Sequence, residues 1–496
     1  MKNFPKAMCT QHPDSASRYI STQAEVEEAI ECFAKYNCDE YMPDYEGKTT
    51  PYHQNLQIVA ELLEKTDMIP AVDVHITPRV PSASHENRFR QLMVMMSIAE
   101  ANALSREHLD VQAIEEFVHP MTSGSEELIE AQKHAVDITN LAKKEFNLHI
   151  EPPVIIPLLE SVESLLKAKE TILSCFNKIE LDRESFRVFF GKSDAALFSG
   201  HVSSALACKF AIHELRELGD EISFRLGIIL GAGALPFRGH VTFSNAKNLF
   251  SEYRGIDTIT IQSALRYDHP PGDAEKFIKA IDFHGQPEYR NEDEKQEILQ
   301  IIRIMEKEYR EVIPGMAGII NMISGLLPNQ RDRLIANGAV GYARKAGDDK
   351  VRLPRAIKFT GALYSIGIPP EFIGTGRGLA VLKKKLGDAA FERLLENYYP
   401  SLESDLRFAH RFLDIEVAKD FLPYRAFELI QEDIMSLSDI FNFNDSLEPE
   451  YSILMDMVKP HLRYLVKTGS SKTCGESAKI ASSALLKMAV IRKSLG

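Results

Sequence analysis

The sequence predicts an α/β fold, a (β/α)8 TIM-type barrel with a large all-helical C-terminal extension packed on it. Up to about residue 285 of the 496-residue chain, short apolar runs alternate with amphipathic stretches. They make eight strand–helix units, the number in a TIM barrel. Several runs are continuously apolar, as parallel strands covered on both faces are. Beyond about residue 290 the pattern is nearly all helical, so we expect a barrel over 1–285 that carries the active site and a helical region over 286–496.

The apolar runs mark the predicted strands. The first, within AMCTQHP (7–13), is short and is ended by Pro13. The other seven cover 40–44, 69–77, 116–119, 154–159, 187–190, 225–230 and 258–263.

Amphipathic helices are expected between these strands. Residues 125–146 place apolar side chains on one stripe and charged ones opposite it. Similar stripes cover 24–37, 55–66, 85–104, 164–179, 199–219, 244–255 and 272–284.

The second half reads as a series of helices separated by short Pro-, Gly- or Asn-containing breaks such as LLPNQ, GYARKAGDDK and IGIPPEF. Its last segment, 475–492, is apolar on one face, so we expect it to dock rather than hang free. The sequence shows no flexible linker, which favours a helical half packed on the barrel.

Composition narrows the class of protein. Hydrophobic residues make up 44% and charged residues 26% of the chain, as in ordinary globular proteins. The 58 basic and 71 acidic residues give a net charge of −13, which disfavours a nucleic-acid partner. The six cysteines form no C-x-x-C pattern, which indicates reduced thiols. With no signal-peptide core and no apolar stretch approaching the ~20 residues of a membrane span, we expect a cytoplasmic protein without membrane contact.

Polar or charged residues follow almost every predicted strand, where barrel enzymes collect their catalytic groups. Carboxylates, histidines and arginines together suit a metal-assisted reaction on a small anion with several charges. In chain order these residues are His12; Asp44, Glu46 and Lys48; Arg79; His119; Glu160; Lys192 and Asp194; Arg238 and His240; and Gln262 and Arg266.

Glu160 and Asp194 follow neighbouring predicted strands, a placement that suits joint binding of Mg²⁺ or Mn²⁺. The alternative is helix capping, by Ser193 or Asp194 for the helix expected near 199 and by Ser161 with Glu163 for the helix expected at 164–179.

Arg238 lies in GAGALPFRGH (231–240), where glycines allow close backbone approach and the guanidinium offers a fork for phosphate or carboxylate. The alternative is a glycine-rich turn with an exposed arginine. Pro236 breaks the dinucleotide-binding G-x-G-x-x-G pattern, and neither Gly-Lys pair, at 47–48 or 191–192, has the glycine of a P-loop.

His12 can serve as a general base or an oxyanion donor, but an isolated histidine is also often structural, and the same two readings apply to His119. The mixed charge run at 344–355 is either a solvated loop or an anion-binding or regulatory loop.

Seven motifs in one order make the sequence recognisable: TQHPD (10–14), DEYMPDYEGK (39–48), VHPMTSG (118–124), PPVIIPLLES (152–161), RVFFGKSD (187–194), GALPFRGH (233–240) and QSALRYDH (262–269). Together they resemble the short, archaeal-type phosphoenolpyruvate carboxylases over nearly the whole chain.

The resemblance implies a role for each matching residue. His12 corresponds to the catalytic histidine, Glu160 and Asp194 to the ligands of Mg²⁺ (or Mn²⁺), and Arg238 and Arg266 to arginines that balance charge on the phosphoryl group. Substrate contacts are implied for Arg79, Lys192, Ser193 and Gly239.

This sequence also departs from the long bacterial and plant enzymes. It has one arginine in the glycine-rich loop where they have two, and Lys192 where they have tyrosine. Its last residues, 492–496, match their C-terminal motif only loosely, so feedback inhibition by aspartate or malate is not implied.

The resemblance implies that phosphoenolpyruvate and bicarbonate are converted to oxaloacetate and phosphate, through carboxyphosphate and a metal-stabilised enolate. It also implies a homo-oligomer, a tetramer by analogy. Two other functions fit the residues alone: a Mg²⁺-dependent barrel lyase or mutase acting on a pyruvate-like enolate, and a non-catalytic metabolite-binding barrel.

Overall fold

The computed structural model describes residues 3–13, 19–21, 23–47, 50–176, 178, 184–283, 285, 291–327, 344–346, 351–443, 446–469 and 475–494. Lys48 and residues 347–350 of the mixed charge run lie outside the described residues.

Eight parallel strands form the barrel, and the predicted fold class is confirmed. The sheet order is β3-β2-β1-β8-β7-β6-β5-β4. It closes where the chain beyond β3 pairs with β4, since Arg79 bridges Val118 and the Val80 N–H donates to the Val118 carbonyl at 3.0 Å. The strands are β1 (Ala7–Thr10), β2 (Glu40–Met42), β3 (His75–Ile76), β4 (Glu116–His119), β5 (Val154–Leu159), β6 (Ser185–Gly191), β7 (Arg225–Gly231) and β8 (Thr258–Ile261).

The short first strand is present and pairs with both β2 and β8. In contrast, only His75–Ile76 of the predicted strand at 69–77 forms a strand in the structure. Its first half is a turn, in which Ala71 takes a positive φ of 58° and Pro70 bridges Val74.

Helices cover the outside of the barrel, and one predicted helix is divided in the structure. The segment 164–179 contains two short helices, and the helix expected at 199 is preceded by another that begins at Lys192. Gly200, at φ 87°, separates the latter pair. The barrel helices are α1 (Ala24–Ala34), α2 (Gln54–Lys65), α3 (Arg88–Leu109), α4 (Ser125–Phe146), α5 (Val162–Leu166), α6 (Ala168–Phe176), α7 (Lys192–Ser199), α8 (His201–Ile222), α9 (Ala246–Glu252), α10 (Ser263–Tyr267) and α11 (Asp273–Lys279).

The rest of the described chain is helical except for one hairpin, β9 (Arg344–Ala346) with β10 (Val351–Leu353), in a region we expected to be a loop. The helices are α12 (Glu292–Ser324), α13 (Ala356–Tyr364), α14 (Thr375–Leu386), α15 (Asp388–Arg393), α16 (Leu402–His410), α17 (Ile415–Phe421), α18 (Tyr424–Ile440), α19 (Pro449–Thr468) and α20 (Glu476–Ile491), with a π-helical turn at Leu394–Tyr398.

The helical region packs directly on the barrel. One hydrophobic cluster joins Leu197 and Phe237 of the barrel to Tyr309, Phe359 and other residues of the helices. The Tyr309 hydroxyl also donates to the Leu197 carbonyl at 2.9 Å. A Cβ at Gly200 would lie 2.8 Å from the Tyr309 ring, so a glycine there permits the close approach of α12.

One expectation about the cysteines is wrong. Cys9 and Cys38 form a disulfide, with 6.1 Å between their Cα atoms, whereas Cys32, Cys175 and Cys208 are buried thiols. The pairing depends on the adjacency of β1 and β2, which cysteine spacing in the sequence does not reveal. Among the described residues, none of the helices combines the length and apolar character that crossing a membrane requires.

Candidate active site

The loops that follow the carboxyl ends of the strands gather the predicted site residues on one rim of the barrel. This follows from the parallel sheet, since all eight strands end on the same side. Most of these side chains are buried: His12, Glu160, Lys192, Ser193, Arg238 and Arg266 are all less than 10% exposed.

His12, after β1, is held by a glutamate that sequence reasoning missed. Its Nδ1 lies 2.9 Å from Glu28 Oε2 on α1, and the Tyr41 hydroxyl donates to the same oxygen at 3.2 Å. An ionised carboxylate only accepts hydrogen bonds, so Glu28 favours the tautomer that carries a proton on Nδ1. Glu28 lies on the buried stripe of α1 with Ala29 and Cys32. A carboxylate on this otherwise apolar stripe is the feature of the sequence that could have identified Glu28 as a functional residue.

Arg266 lies next to Glu28, the partner of His12. Its Nη1 donates to Glu28 Oε1 at 2.9 Å, and its Nη2 donates to the Thr10 carbonyl at 2.5 Å. The guanidinium is fully buried in these contacts. The structure therefore places Arg266 in the wall that supports Glu28 and His12, and its predicted part in balancing phosphoryl charge stays a prediction.

Arg79 is engaged by two carboxylates that follow β2. It binds Asp44 through two nitrogen–oxygen contacts of 2.9 Å, and its Nη1 lies 2.7 Å from Glu46 Oε2. Burial alone would lower the pKa of Arg79, but Asp44, Glu46 and also Glu160 hold it well above its usual range. Arg79 thus lies close enough to Glu160 to interact with it, while its own charge is compensated by Asp44 and Glu46.

Glu160 and Asp194 follow the neighbouring strands β5 and β6, which pair at Leu159 and Phe190. Glu160 is 8% exposed, and its Oε2 accepts the Met121 N–H at 2.8 Å. A Cβ at Gly191 would lie 2.9 Å from Glu160 Cγ, so this glycine leaves room for the carboxylate.

Of the predicted helix caps, the one at Ser161 is present and the one at Ser193 or Asp194 is not. Ser161 caps α5 by accepting the Ser164 N–H at 3.0 Å. Ser193 and Asp194 do not cap a helix near 199, because α7 already begins at Lys192 with Gly191 as its N-cap.

The glycine-rich loop after β7 holds Arg238 tightly. Gly239 has φ 123°, and a Cβ there would lie 2.5 Å from the Ala232 Cβ. A Cβ at Gly233 would lie 2.7 Å from Arg238 Cζ, so the guanidinium packs against this glycine, and its Nη2 donates to Gln262. Burial lowers the pKa of Arg238 to about 10, while the charge of Asp194 acts in the opposite direction. Arg238 and Asp194 are therefore electrostatic neighbours.

Lys192 lies beneath the glycine-rich loop and binds its backbone. Its Nζ donates to the Phe237 carbonyl at 2.6 Å and to the Pro236 carbonyl at 3.2 Å, and the residue is fully buried beneath the glycine-rich loop. The reason is local: as the first residue of α7, Lys192 directs its side chain under the loop instead of into the mouth. Ser193 is also a loop contact, since its hydroxyl donates to the Arg238 carbonyl at 3.4 Å.

The other candidates have protein partners. His119 Nδ1 lies 3.2 Å from the Thr122 hydroxyl, and burial lowers the pKa of His119 to about 4, which keeps it neutral. His240 Nδ1 lies 2.5 Å from Asp405 Oδ1. Within the mixed charge run, Arg355 reaches the rim and donates to Glu46 at 3.2 Å.

Comparison with known proteins decides the family. A family described as phosphoenolpyruvate carboxylase matches residues 4–496. The chain belongs to the phosphoenolpyruvate carboxylase family. Curated relatives with this name include those of Methanosarcina mazei, 51% identical over 99% of both chains, and Methanopyrus kandleri, 36% identical over 99% of this chain and 98% of the relative.

The resemblance to archaeal-type phosphoenolpyruvate carboxylases, drawn from the seven motifs, is thus confirmed. Among solved structures, a malate synthase of Haloferax volcanii aligns over 80% of this chain and 98% of its own, at a TM-score of 0.43 and 13% identity. Similarity at that level says nothing about function.

Proposed function

We propose that the protein carboxylates phosphoenolpyruvate with bicarbonate, giving oxaloacetate and phosphate. The observation that supports this proposal is that Glu160, Asp194 and Arg238 follow the consecutive strands β5, β6 and β7 on one rim, with Asp194 acting electrostatically on Arg238. Full-length similarity to phosphoenolpyruvate carboxylases supports it.

The first step is a phosphoryl transfer. An oxygen of bicarbonate bonds to phosphorus while the bond from phosphorus to the enol oxygen breaks, which gives carboxyphosphate and the enolate of pyruvate. The migrating phosphoryl group carries charge on three oxygens. Arg238, held against Gly233 with its guanidinium desolvated, is placed to balance that charge.

The second step joins carbon to carbon. Carboxyphosphate loses phosphate to release CO2, and the enolate carbon attacks CO2 to form oxaloacetate. His12 accepts the proton of the carboxyl group of carboxyphosphate, because Glu28 engages Nδ1 and so leaves Nε2 as the basic nitrogen. Burial of His12 limits access of water to the enolate, which would otherwise be protonated to pyruvate.

The donor set fits a divalent cation. Glu160 and Asp194 supply hard carboxylate oxygens at the mouths of adjacent strands, the ligand type that Mg²⁺ and Mn²⁺ take. A cation held there would supply positive charge opposite the developing enolate oxygen.

The reaction is tested by product analysis with isotopically labelled bicarbonate in the presence of Mg²⁺. We expect label in oxaloacetate and release of one phosphate for each oxaloacetate. A lyase or mutase would consume substrate without label entering a C4 acid, and a non-catalytic binding protein would bind phosphoenolpyruvate without consuming it. Either result would refute the proposal.

Removal of a metal ligand tests the proposed cation site. We expect Glu160→Gln and Asp194→Asn each to raise the Mg²⁺ concentration needed for half-maximal activity and to lower kcat by about 100-fold, as loss of a strong charge contact does. Glu116→Gln is the matched control, because Glu116 binds Arg187 at the opposite end of the barrel. Near-normal activity of both rim variants at ordinary Mg²⁺ would remove the metal assignment.

A further inference from the structure

The glycine-rich loop that carries Arg238 closes most of its own hydrogen bonds. The Gly233 N–H donates to the Arg238 carbonyl at 2.8 Å, and the Arg238 and His240 N–H groups both donate to the Leu235 carbonyl. The N–H and the carbonyl of Phe237 take no part in these loop bonds. Because the loop is buried, these two groups need partners from elsewhere.

The Phe237 carbonyl is bound from the barrel side by Lys192, through the 2.6 Å contact described above. The same ammonium group also binds the Pro236 carbonyl and lies 3.5 Å from His201 Nδ1 on α8. Burying an ammonium group costs free energy unless the group is hydrogen-bonded or paired with an opposite charge. Here the ammonium group fixes two consecutive peptide carbonyls immediately before Arg238.

The Phe237 N–H is bound from the helical region by Glu371, which precedes α14. Glu371 Oε1 accepts this N–H at 2.8 Å and the Tyr364 hydroxyl at 2.9 Å. Glu371 is fully buried. The Phe237 N–H is thus bound by Glu371 of the helical region, and the Phe237 carbonyl is bound by Lys192 of the barrel.

A second contact from the helical region holds the far end of the loop. Asp405 on α16 accepts from His240 at 2.5 Å, and its other oxygen accepts the Tyr399 hydroxyl at 2.7 Å. Arg238 and Gly239 therefore lie between two anchors that both come from the helical region.

We propose that Lys192 and Glu371 are positioning residues for Arg238, so that the helical region completes the phosphate-binding part of the active site. The proposal rests on the proposed function only for the identity of the substrate that Arg238 meets. Neither residue is expected to touch substrate. Their effect is to fix the peptide that precedes Arg238.

A double-mutant cycle tests whether Glu371 acts through Arg238. We expect Glu371→Leu to raise KM for phosphoenolpyruvate and to lower kcat/KM by about tenfold, because the Phe237 N–H loses its acceptor. KM for bicarbonate should stay unchanged. Glu371→Gln keeps an acceptor oxygen and should restore kcat/KM, and Lys192→Met should behave like Glu371→Leu.

In an Arg238→Gln background, Glu371→Leu should have little further effect, since there is no guanidinium left to position. If the two effects multiply instead, Glu371 does not act through Arg238 and the proposal is overturned.

The control is Asp433→Asn: Asp433 is equally buried but holds the first turn of α14, through the Gly374 and Arg377 N–H groups. The Asp433→Asn substitution should lower thermal stability and leave KM for phosphoenolpyruvate unchanged. A fall in kcat alone for Glu371→Leu, as partial unfolding would give, also counts against the proposal.

Calorimetric binding of phosphoenolpyruvate separates this inference from the proposed function. We expect Glu371→Leu to raise Kd by about tenfold relative to the parent. If the parent binds phosphoenolpyruvate but forms no oxaloacetate, the proposed function fails while the change in Kd still decides the role of Glu371. If the parent does not bind phosphoenolpyruvate, both proposals fall.

Discussion

Glu28 determines what His12 can do, because it binds the ring nitrogen that faces away from the proposed reaction. We expect Glu28→Gln to lower kcat by about tenfold or more, since a neutral partner stabilises the protonated imidazole less. Assay of both products should also show a larger fraction of pyruvate. Glu31→Gln is the matched control on the same helix, where Glu31 forms a surface pair with Lys35. Equal rates for the parent and Glu28→Gln would contradict this role.

Replacement of His12 itself separates the two chemical steps. In His12→Asn we expect bicarbonate-dependent release of phosphate with pyruvate as the product and without oxaloacetate, because the enolate forms but CO2 is not captured. Coupled lactate and malate dehydrogenase assays measure the two products. Oxaloacetate formation at the parent rate would show that His12 is misassigned.

At the scale of elements, the glycine-rich loop depends on a glycine whose space is filled by a side chain. In Gly233→Ala the new Cβ would meet Arg238 Cζ at 2.7 Å and Gln262 Oε1 at 2.8 Å. Both atoms lie at the ends of side chains, so the fold can adjust while the guanidinium is displaced. We expect kcat/KM for phosphoenolpyruvate to fall by about tenfold or more, with little change in Tm.

Gly318→Ala in α12 is the matched substitution, because nothing lies within 4 Å of its added Cβ. Here we expect unchanged kinetics and a gain of about 0.5–1 kcal/mol in the free energy of unfolding, from better helix propensity. Unaltered kcat/KM in Gly233→Ala would show that the position of Arg238 does not depend on this glycine.

The sequence predicted the barrel because several strands are continuous apolar runs and the helices between the strands carry apolar stripes. Those signals are local, so α4 is found at its predicted bounds. They fail where tertiary structure decides, as at β3, which covers only His75–Ile76 of its predicted length, and at α7, which begins directly after β6.

The same limit applies to the site. A residue in the loop after a strand, such as Glu160 after β5 or Arg238 after β7, can be found from sequence because its place on the rim follows from the fold. Glu28 and Glu371 act through contacts with residues far along the chain, at separations of 16 and 134. The direction of the Lys192 side chain could not be predicted from the sequence either, because it depends on the residue at which α7 begins.

At the scale of the whole molecule, the rim is built by both parts of the chain. Arg355, Glu371 and Asp405 reach from the helical region to Glu46, Phe237 and His240 around the barrel mouth. Because the net charge is −13, cations that bind an anionic substrate, such as Arg238, must be placed locally on this rim. The predicted homotetramer stays a prediction.

Glu371, at the junction between the barrel and the helices, should make the free energy of unfolding depend on pH. Burial raises the pKa of Glu371 from 4.5 to about 7, although hydrogen bonds from Phe237 and Tyr364 and the charge of Lys192 act against it. The unfolded chain ionises this group near 4.5, while the native protein keeps the proton until about pH 7. Between these values the unfolded state binds fewer protons than the native state, so stability falls as pH rises, by ~1.4 kcal/mol per pH unit.

Glu371→Gln removes this titration without removing the acceptor for the Phe237 N–H. All other groups titrate in both proteins, so the difference between their urea-unfolding free energies isolates Glu371. We expect the variant to gain about 3 kcal/mol relative to the parent between pH 4.5 and 7, and nothing further above pH 7. Parallel stability curves would mean that Glu371 is ionised in the native protein throughout this range. The contact between the helical region and the loop would then be an ion pair with Lys192 rather than a neutral hydrogen bond.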